Sequence, residues 1–129
     1  MTVFQRAACG QSLSRDLELL ARLPAHHADD VGPGEMPAAT IPRGRYAIDP
    51  EPFTHPRVPA PPGDIVLNPE DAVGLVEHPD EHRSQGCCGP EGLSGSNRLC
   101  RCGAEVGTLL ADCWTACELR LHPALVRAA

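Results

Sequence analysis

The sequence predicts a small single-domain α+β protein, built mostly from short antiparallel strands and irregular loops around a metal site. Its 129 residues are the length of one domain. Its 14 prolines and 12 glycines, with one tryptophan, one tyrosine and two phenylalanines, favour turns and a thin aliphatic core. Five of the seven cysteines lie between His82 and Trp114. Because a thin core buries little apolar surface, we expect a metal ion to help hold the fold.

The N-terminal segment predicts a turn followed by a helix. Residues 3–14 read as a short strand, a tight turn at Cys9-Gly10 and a return. In residues 14–23, leucines at helical spacing follow Ser14, a suitable N-cap, and predict a helix. The alternative is a strand leading away from the turn. The proline- and glycine-flanked residues that follow predict a solvated loop, although they include His26, His27, Asp29 and Asp30.

Residues 33–63 predict a proline-rich extended arm or loop, because nine of the thirty residues from 33 to 62 are proline. Within this arm, residues 44–49 favour a short strand, and the segment from Asp49 to Gly63 reads as a linker. Residues 64–122 form the cysteine-rich, metal-binding part. It begins with a predicted strand at 65–67 and a short helix at 69–77, capped by Asn68 with Pro69 at its first position.

The C-terminal segment predicts two antiparallel strands, over residues 105–111 and 114–121, joined near Asp112. Apolar residues alternate along the second segment, which places Leu119 and Leu121 inward. A helix is the competing prediction, and it would place Cys113 and Cys117 on one face. Pro123 ends either element, and we expect the last residues to fray.

The cysteines are the candidate metal ligands. Zn²⁺ is borderline-soft and takes four Cys or His ligands tetrahedrally, so closely spaced thiols suit it. No apolar run in the sequence suits a signal peptide or a membrane span of about 20 residues, so we expect a cytoplasmic location, where such thiols bind metal more often than they form disulfides. The predicted ligands are six: Cys9, Cys87, Cys88, Cys100, Cys102 and Cys113. Cys117 is expected in the core.

Two four-cysteine sets are open. A local set combines Cys87 or Cys88 with Cys100, Cys102 and Cys113, and a second set replaces Cys113 by Cys9. Adjacent side chains point in different directions, so we expect Cys87 and Cys88 seldom to bind the same ion. If both are ligands, there are two metals or a bridged cluster. His78 and His82 lie near enough in sequence to add a nitrogen ligand, but their polar context favours solvation. Asp112 could orient a ligand through hydrogen bonds or serve as a turn residue.

Two motifs carry a resemblance. Cys9-Gly10 with Leu13, and Cys100-x-Cys102-Gly103-x-Glu105-Val106, resemble the two knuckles of a zinc ribbon. Residues 64–121 are also similar to small uncharacterised Cys-rich bacterial proteins with a GCCG…CxCGxEVGT…DCW pattern. The resemblance implies a zinc-ribbon-like fold and no particular activity. The chain departs from the ribbon pattern at Arg6, where a first cysteine would stand, and in the single-residue spacer at Arg101.

These observations favour a structural, Cys-ligated zinc ion in a protein with an interaction or accessory role, rather than in an enzyme. One alternative is a thiol redox or metal-sensing protein that uses Cys87-Cys88, with Arg83 or Arg101 as the activating cation. Another is a zinc-dependent hydrolase whose general base would be Glu81, Glu91, Glu105 or Asp112. The net charge of −6, without any basic block, argues against nucleic acid as a partner. A protein partner is left open.

Overall fold

The protein is built almost entirely from short β-strands. The computed structural model describes residues 1–52 and 62–129. Within those ranges two 3-10 helices, Pro69–Asp71 and Glu81–Ser84, interrupt the strands. The strands are β1 (Phe4–Arg6), β2 (Glu18–Leu19), β3 (Arg45–Ile48), β4 (Ile65–Leu67), β5 (Val76–Glu77), β6 (Arg98–Leu99), β7 (Glu105–Leu110), β8 (Glu118–Leu121) and β9 (Val126–Ala128).

Seven of these strands form one mixed sheet in the order β2-β3-β4-β8-β7-β6-β5. The β2 and β3 strands pair in parallel, whereas every other neighbouring pair is antiparallel. A separate two-stranded sheet joins β1 to β9 near the two ends of the described chain. It covers one face of the large sheet, because Phe4 and Val126 are buried in the same core as residues of β4 and β8.

The core is aliphatic and lies on both faces of the central strands. The larger part consists of Phe4, Leu13, Leu17, Ile65, Leu67, Cys100, Val106, Leu119, Leu121 and Val126. A smaller group, Ile41, Ala47 and Val66, packs on the opposite face. Alternation along β4 explains this division, since successive side chains of a strand point to opposite faces. The β4 strand is therefore buried on both faces. The predicted inward positions of Leu119 and Leu121, on β8, are confirmed.

The predicted α+β class is wrong, because no helix of seven or more residues occurs in the described ranges. Over residues 14–23 the backbone bonds to distant chain segments instead of to itself. Leu17 exchanges both backbone hydrogen bonds with Thr2, and the amide of Leu20 donates to Tyr46 O. The alternative of a strand after the turn is thus confirmed. Leu13 and Leu17 are fully buried, so the leucine spacing correctly marked core residues but misidentified the element.

The helix predicted at 69–77 is also wrong beyond its first turn. Asn68 caps the 3-10 helix as expected, since its Oδ1 accepts from the amide of Glu70 at 2.9 Å. The helix stops because the next amides are used elsewhere. Val73 N donates to Leu13 O, and Val76–Glu77 pairs with β6. Tertiary hydrogen bonds here outweigh a modest helix propensity.

Several other predictions can be compared with the structure. The turn at Cys9-Gly10 and the strands at 44–49, 65–67 and 105–111 are confirmed, and the last predicted strand is shortened to β8. Fraying of the C-terminus is wrong, because β9 pairs with β1. Of the predicted linker, residues 53–61 lie outside the described ranges. At its ends, Asp49 N donates to Asp64 O and Gly63 N donates to Asp49 O, so these positions close the β3–β4 connection.

A buried network of ion pairs lies on the face of the sheet that carries the smaller apolar group. The guanidinium of Arg120 donates to Asp49 Oδ2 at 2.8 Å, to Asp64 Oδ2 at 3.5 Å and to the carboxylate of Glu118. Glu118 also accepts from the hydroxyl of Thr40 at 2.8 Å. Burial lowers the pKa of Arg120, but Glu118 and Asp49 outweigh this effect and raise the pKa overall. The cation therefore stays charged and ties β8 to both ends of the β3–β4 connection.

Replacing Arg120 by alanine should lower the free energy of unfolding by about 3 kcal/mol, because the buried carboxylates then lose their cation. Arg45→Ala is the matched control, since Arg45 pairs with Glu18 across an exposed 3.1 Å contact. Such exposed pairs contribute about 0–1 kcal/mol. Urea unfolding of both variants measures the difference, and equal losses would contradict a structural role for the network.

Candidate metal centres

The six cysteines predicted as ligands are brought together in two groups of three. Within each group the sulfur atoms all lie within 4.8 Å of one another. We call Cys9, Cys100 and Cys102 cluster I, and Cys87, Cys88 and Cys113 cluster II. Neither predicted four-cysteine set occurs in the described chain, because both sets mix members of the two clusters. Cys87 and Cys88, which were expected seldom to bind one ion together, belong to the same cluster.

The sulfur separations match those of metal thiolates. The edge of a tetrahedron with Zn–S bonds of about 2.3 Å is about 3.8 Å. The Sγ atoms of Cys9 and Cys100 are 3.5 Å apart, and those of Cys87 and Cys88 are 3.9 Å apart. All seven cysteines are free thiols. Each cluster could therefore hold a metal ion with small adjustments of its side chains.

Cluster I joins two turns that are far apart in sequence. Cys9 lies in the turn after β1, where Gly10 adopts a φ of 74° and donates its amide to Arg6 O. Cys100 and Cys102 lie in the turn between β6 and β7, which Gly103 closes with a φ of 91° by donating to Cys100 O. Glycine is favoured at both positions because other residues rarely adopt a positive φ. The two motifs that resemble zinc-ribbon knuckles thus lie next to each other.

Two thiols of cluster I differ in pKa because their surroundings differ. Cys100 is 1% exposed, and burial raises its pKa to about 11. Cys102 is exposed, and its pKa falls to about 7, mainly because the backbone amide of Ala104 hydrogen-bonds to its sulfur. Neighbouring Cys100 and Arg6 lower it further. The cluster thus already stabilises negative charge on one sulfur, which a metal ligand requires.

Two residues at cluster I carry roles that were not predicted from the sequence. Gln11 Oε1 accepts from the thiol of Cys100 and from the amide of Arg101, each at 2.9 Å, while its Nε2 donates to Gly74 O. Arg6 takes the place of the missing knuckle cysteine and directs positive charge toward Cys102. The departure at Arg6 was visible in the sequence, but the contact of Gln11 has no local signal because it spans 89 residues.

Cluster II lies on a tight loop against the β7–β8 connection. The segment Gly86-Cys87-Cys88-Gly89 has no room for larger residues at its ends. A Cβ on Gly86 would come 1.8 Å from Gly89 O, and one on Gly89 would come 2.5 Å from Ala111 O. The two glycines therefore allow the loop to approach Cys113 closely enough for three sulfurs to meet.

Asp112 holds the three residues of cluster II by their backbones. Its carboxylate accepts from the amides of Cys87 and Cys88, each at 2.8 Å, and from the amide of Cys113 at 2.7 Å. The indole Nε1 of Trp114 donates to the same carboxylate at 2.9 Å. Burial raises the pKa of Asp112, but the amides of Cys88, Cys87 and Cys113 outweigh this and hold the pKa at about 2. Asp112 thus makes the hydrogen bonds considered for it, three from backbone amides and one from an indole N–H.

The other sequence candidates lie outside both clusters. His78 Nε2 contacts Glu105 Oε1 at 2.8 Å, and His82 is exposed. His27 contacts Asp30 within the exposed loop that was predicted for this segment. Cys117 is half-buried, and burial raises its pKa. Cluster I precedes β7 and cluster II follows it, so this six-residue strand separates them by about 20 Å.

Replacing Asp112 by asparagine should lower the free energy of unfolding by about 2 kcal/mol, because the anion that accepts four N–H donors is removed. Asp80→Asn is the matched control, since Asp80 is exposed and accepts one amide, that of His82, at 3.0 Å. We expect a loss under about 1 kcal/mol there. Chemical denaturation compares the two, and equal losses would show that the carboxylate does not hold the loop.

Comparison with known proteins adds no functional assignment. No protein family, curated protein or solved structure matches this chain. In residues 1–52 and 62–129, no helix has the length and apolar character needed to cross a membrane. The two thiol clusters are the features of the described chain whose chemistry indicates a function.

Proposed function

We propose that this chain is a zinc-binding protein in which cluster I holds a structural zinc ion, and that it has an interaction or accessory role in a reducing compartment such as the cytoplasm. The single observation that carries the proposal is the meeting of Cys9 with Cys100 and Cys102 across 91 residues. A metal ion that links these residues in the folded chain, and does not bind the unfolded chain, stabilises the fold by mass action. A thin aliphatic core gains much from such a link.

Gln11 Oε1 is the proposed fourth donor to this zinc. In the described structure it accepts the Cys100 proton at 2.9 Å. When Cys100 loses that proton to become a ligand, a lone pair of Oε1 faces the sulfur, and a cation between them removes the repulsion. The S···O edge of a zinc tetrahedron is about 3.6 Å, so the two atoms would separate by a few tenths of an ångström. Arg6 would balance the remaining charge of three thiolates around Zn²⁺.

Other functions have less support from the geometry. The redox alternative needs a cation at Cys87-Cys88, but Arg83 donates to Ser96 O and to Glu105. The hydrolase alternative needs a free general base. Of the four candidate bases, two are engaged: both oxygens of Asp112 accept N–H donors, and Glu105 is paired with His78 and Arg83.

Zinc removal should destabilise the protein through cluster I. With zinc at about a thousand times its dissociation constant, the metal adds about 4 kcal/mol to the free energy of unfolding, and a chelator should remove that contribution. Cys9→Ser should lose the zinc and most of the chelator effect. Cys117→Ser, outside both clusters, should keep them. Elemental analysis and urea unfolding with and without chelator provide the measurements. If the purified protein contains no zinc and the cluster I thiols titrate rapidly, the proposal is refuted.

The proposed fourth ligand has its own test. Gln11→Ala should weaken zinc binding about tenfold or more, as removal of a ligand or its partner typically does. Gln11→Glu keeps an oxygen donor but loses the hydrogen bond from Nε2 to Gly74 O, so it separates the two roles of the side chain. We expect this variant to retain zinc. Competition with a chromophoric chelator measures both affinities, and equal affinity of Gln11→Ala and the native chain would place the fourth ligand elsewhere.

A further inference from the structure

We propose that cluster II is a separate site for a soft ion that is satisfied by three thiolates, of which Cu(I) is the biologically relevant example. The proposal deepens the metal-binding function but concerns a different ion at a different site. Thiolate ligands select soft ions such as Cu(I) as well as zinc. The choice between them depends on coordination number, on how the site is assembled and on its exposure.

The first observation is the number of donors. In the described residues, no fourth His, Cys, Asp or Glu ligand atom lies within 4.8 Å of all three sulfurs of cluster II. The nearest acid, Asp112, already accepts three backbone amides and the indole N–H of Trp114. Cluster I differs in this respect, because Gln11 Oε1 lies beside its buried sulfur. Zinc at cluster II would lack a fourth ligand of these types, whereas Cu(I) is stable with three thiolates.

The second observation is that hydrogen bonds and close packing hold the loop of cluster II in place. Each of its three cysteines is fixed by its own backbone amide to one buried carboxylate, at 2.7 to 2.8 Å. The flanking Gly86 and Gly89 fit against the chain with no space for a side chain. Partners of this kind orient ligands and raise metal affinity. An ion at cluster II therefore meets a preformed site, so binding and release need no refolding of the loop.

The third observation concerns access and charge. Cys87 and Cys88 are exposed and Cys113 is half-buried, so an ion delivered by another thiol can reach the sulfurs. The negative charge of Asp112 lies beside the backbone amides of these three cysteines and favours a cation. Binding replaces three S–H bonds by three Cu–S bonds and releases three protons, and copper remains Cu(I) throughout. No oxidant or reductant is required.

Trp114 supplies a built-in reporter for this site. It is the one tryptophan in the chain, it is 53% exposed, and its indole N–H contacts the carboxylate that holds cluster II. An ion bound by the adjacent Cys113 should change its fluorescence. Cluster I lies at the other end of β7, so an ion bound there should leave the emission unchanged.

The experiment titrates the zinc-loaded full chain with Cu(I), supplied as its acetonitrile complex without oxygen. We expect one Cu(I) per chain with retention of zinc, a change in Trp114 emission that ends at one equivalent, and three sulfur neighbours in X-ray absorption. Cys113→Ser should weaken Cu(I) binding at least tenfold and leave two sulfur neighbours. Cys88→Ser is a second variant should that chain fail to fold, and Cys117→Ser is the control that should behave as the native chain.

The outcomes separate this proposal from the zinc proposal. Release of one zinc per Cu(I), with unchanged Trp114 emission, would place copper in cluster I and overturn the assignment of cluster II. Zinc that occupies cluster II and resists one equivalent of Cu(I) would overturn it as well. Cu(I) at three sulfurs together with a changed Trp114 emission, in a chain that binds no zinc, would instead support cluster II and refute the structural zinc.

Discussion

The antiparallel pairing of β7 with β8 is the contact on which both thiol clusters depend. Four residue pairs connect these strands, from Gly107 opposite Leu121 to Leu110 opposite Glu118. The turn before β7 carries Cys100 and Cys102, and the connection after it carries Asp112 and Cys113. Because β8 also pairs with β4, the same hairpin anchors the clusters to the centre of the sheet. A change in this register would move every cysteine of the C-terminal segment.

The sheet gains rigidity from a network that a thin core would not be expected to contain. Val66 lies opposite Arg120 in the β4–β8 register, on the face that carries the small apolar group. Three carboxylates surround the arginine, and Thr40 donates to one of them, Glu118, so the buried charges are paired. Such a network adds less stability than apolar packing of equal volume, but an unpaired charge in any other register is costly. We infer that this network selects the β4–β8 register, because the few aromatic side chains would specify it only weakly.

The sequence was informative where local chemistry decides the structure. Glycine turns at Cys9-Gly10, the cap at Asn68 and the alternation of Leu119 and Leu121 could all be predicted, since each depends on neighbours along the chain. The leucines after Ser14 were misinterpreted because their backbone partners, Thr2 and Tyr46, lie in other strands. The six cysteines could be selected by spacing and glycine context. Their division into two clusters could not, because it depends on which end of β7 each turn occupies.

Two cysteine groups of similar size therefore depend on different interactions. Cluster I brings together turns whose cysteines are 91 residues apart, so an ion bound there would act on the whole fold. The loop of cluster II is held by the carboxylate of Asp112, the residue before Cys113, which accepts hydrogen bonds from the backbone amides of all three cysteines. A site that is already ordered loses no conformational entropy when an ion binds, so binding and release there leave the fold unchanged. This distinction leads us to assign a structural ion to cluster I and an exchangeable one to cluster II.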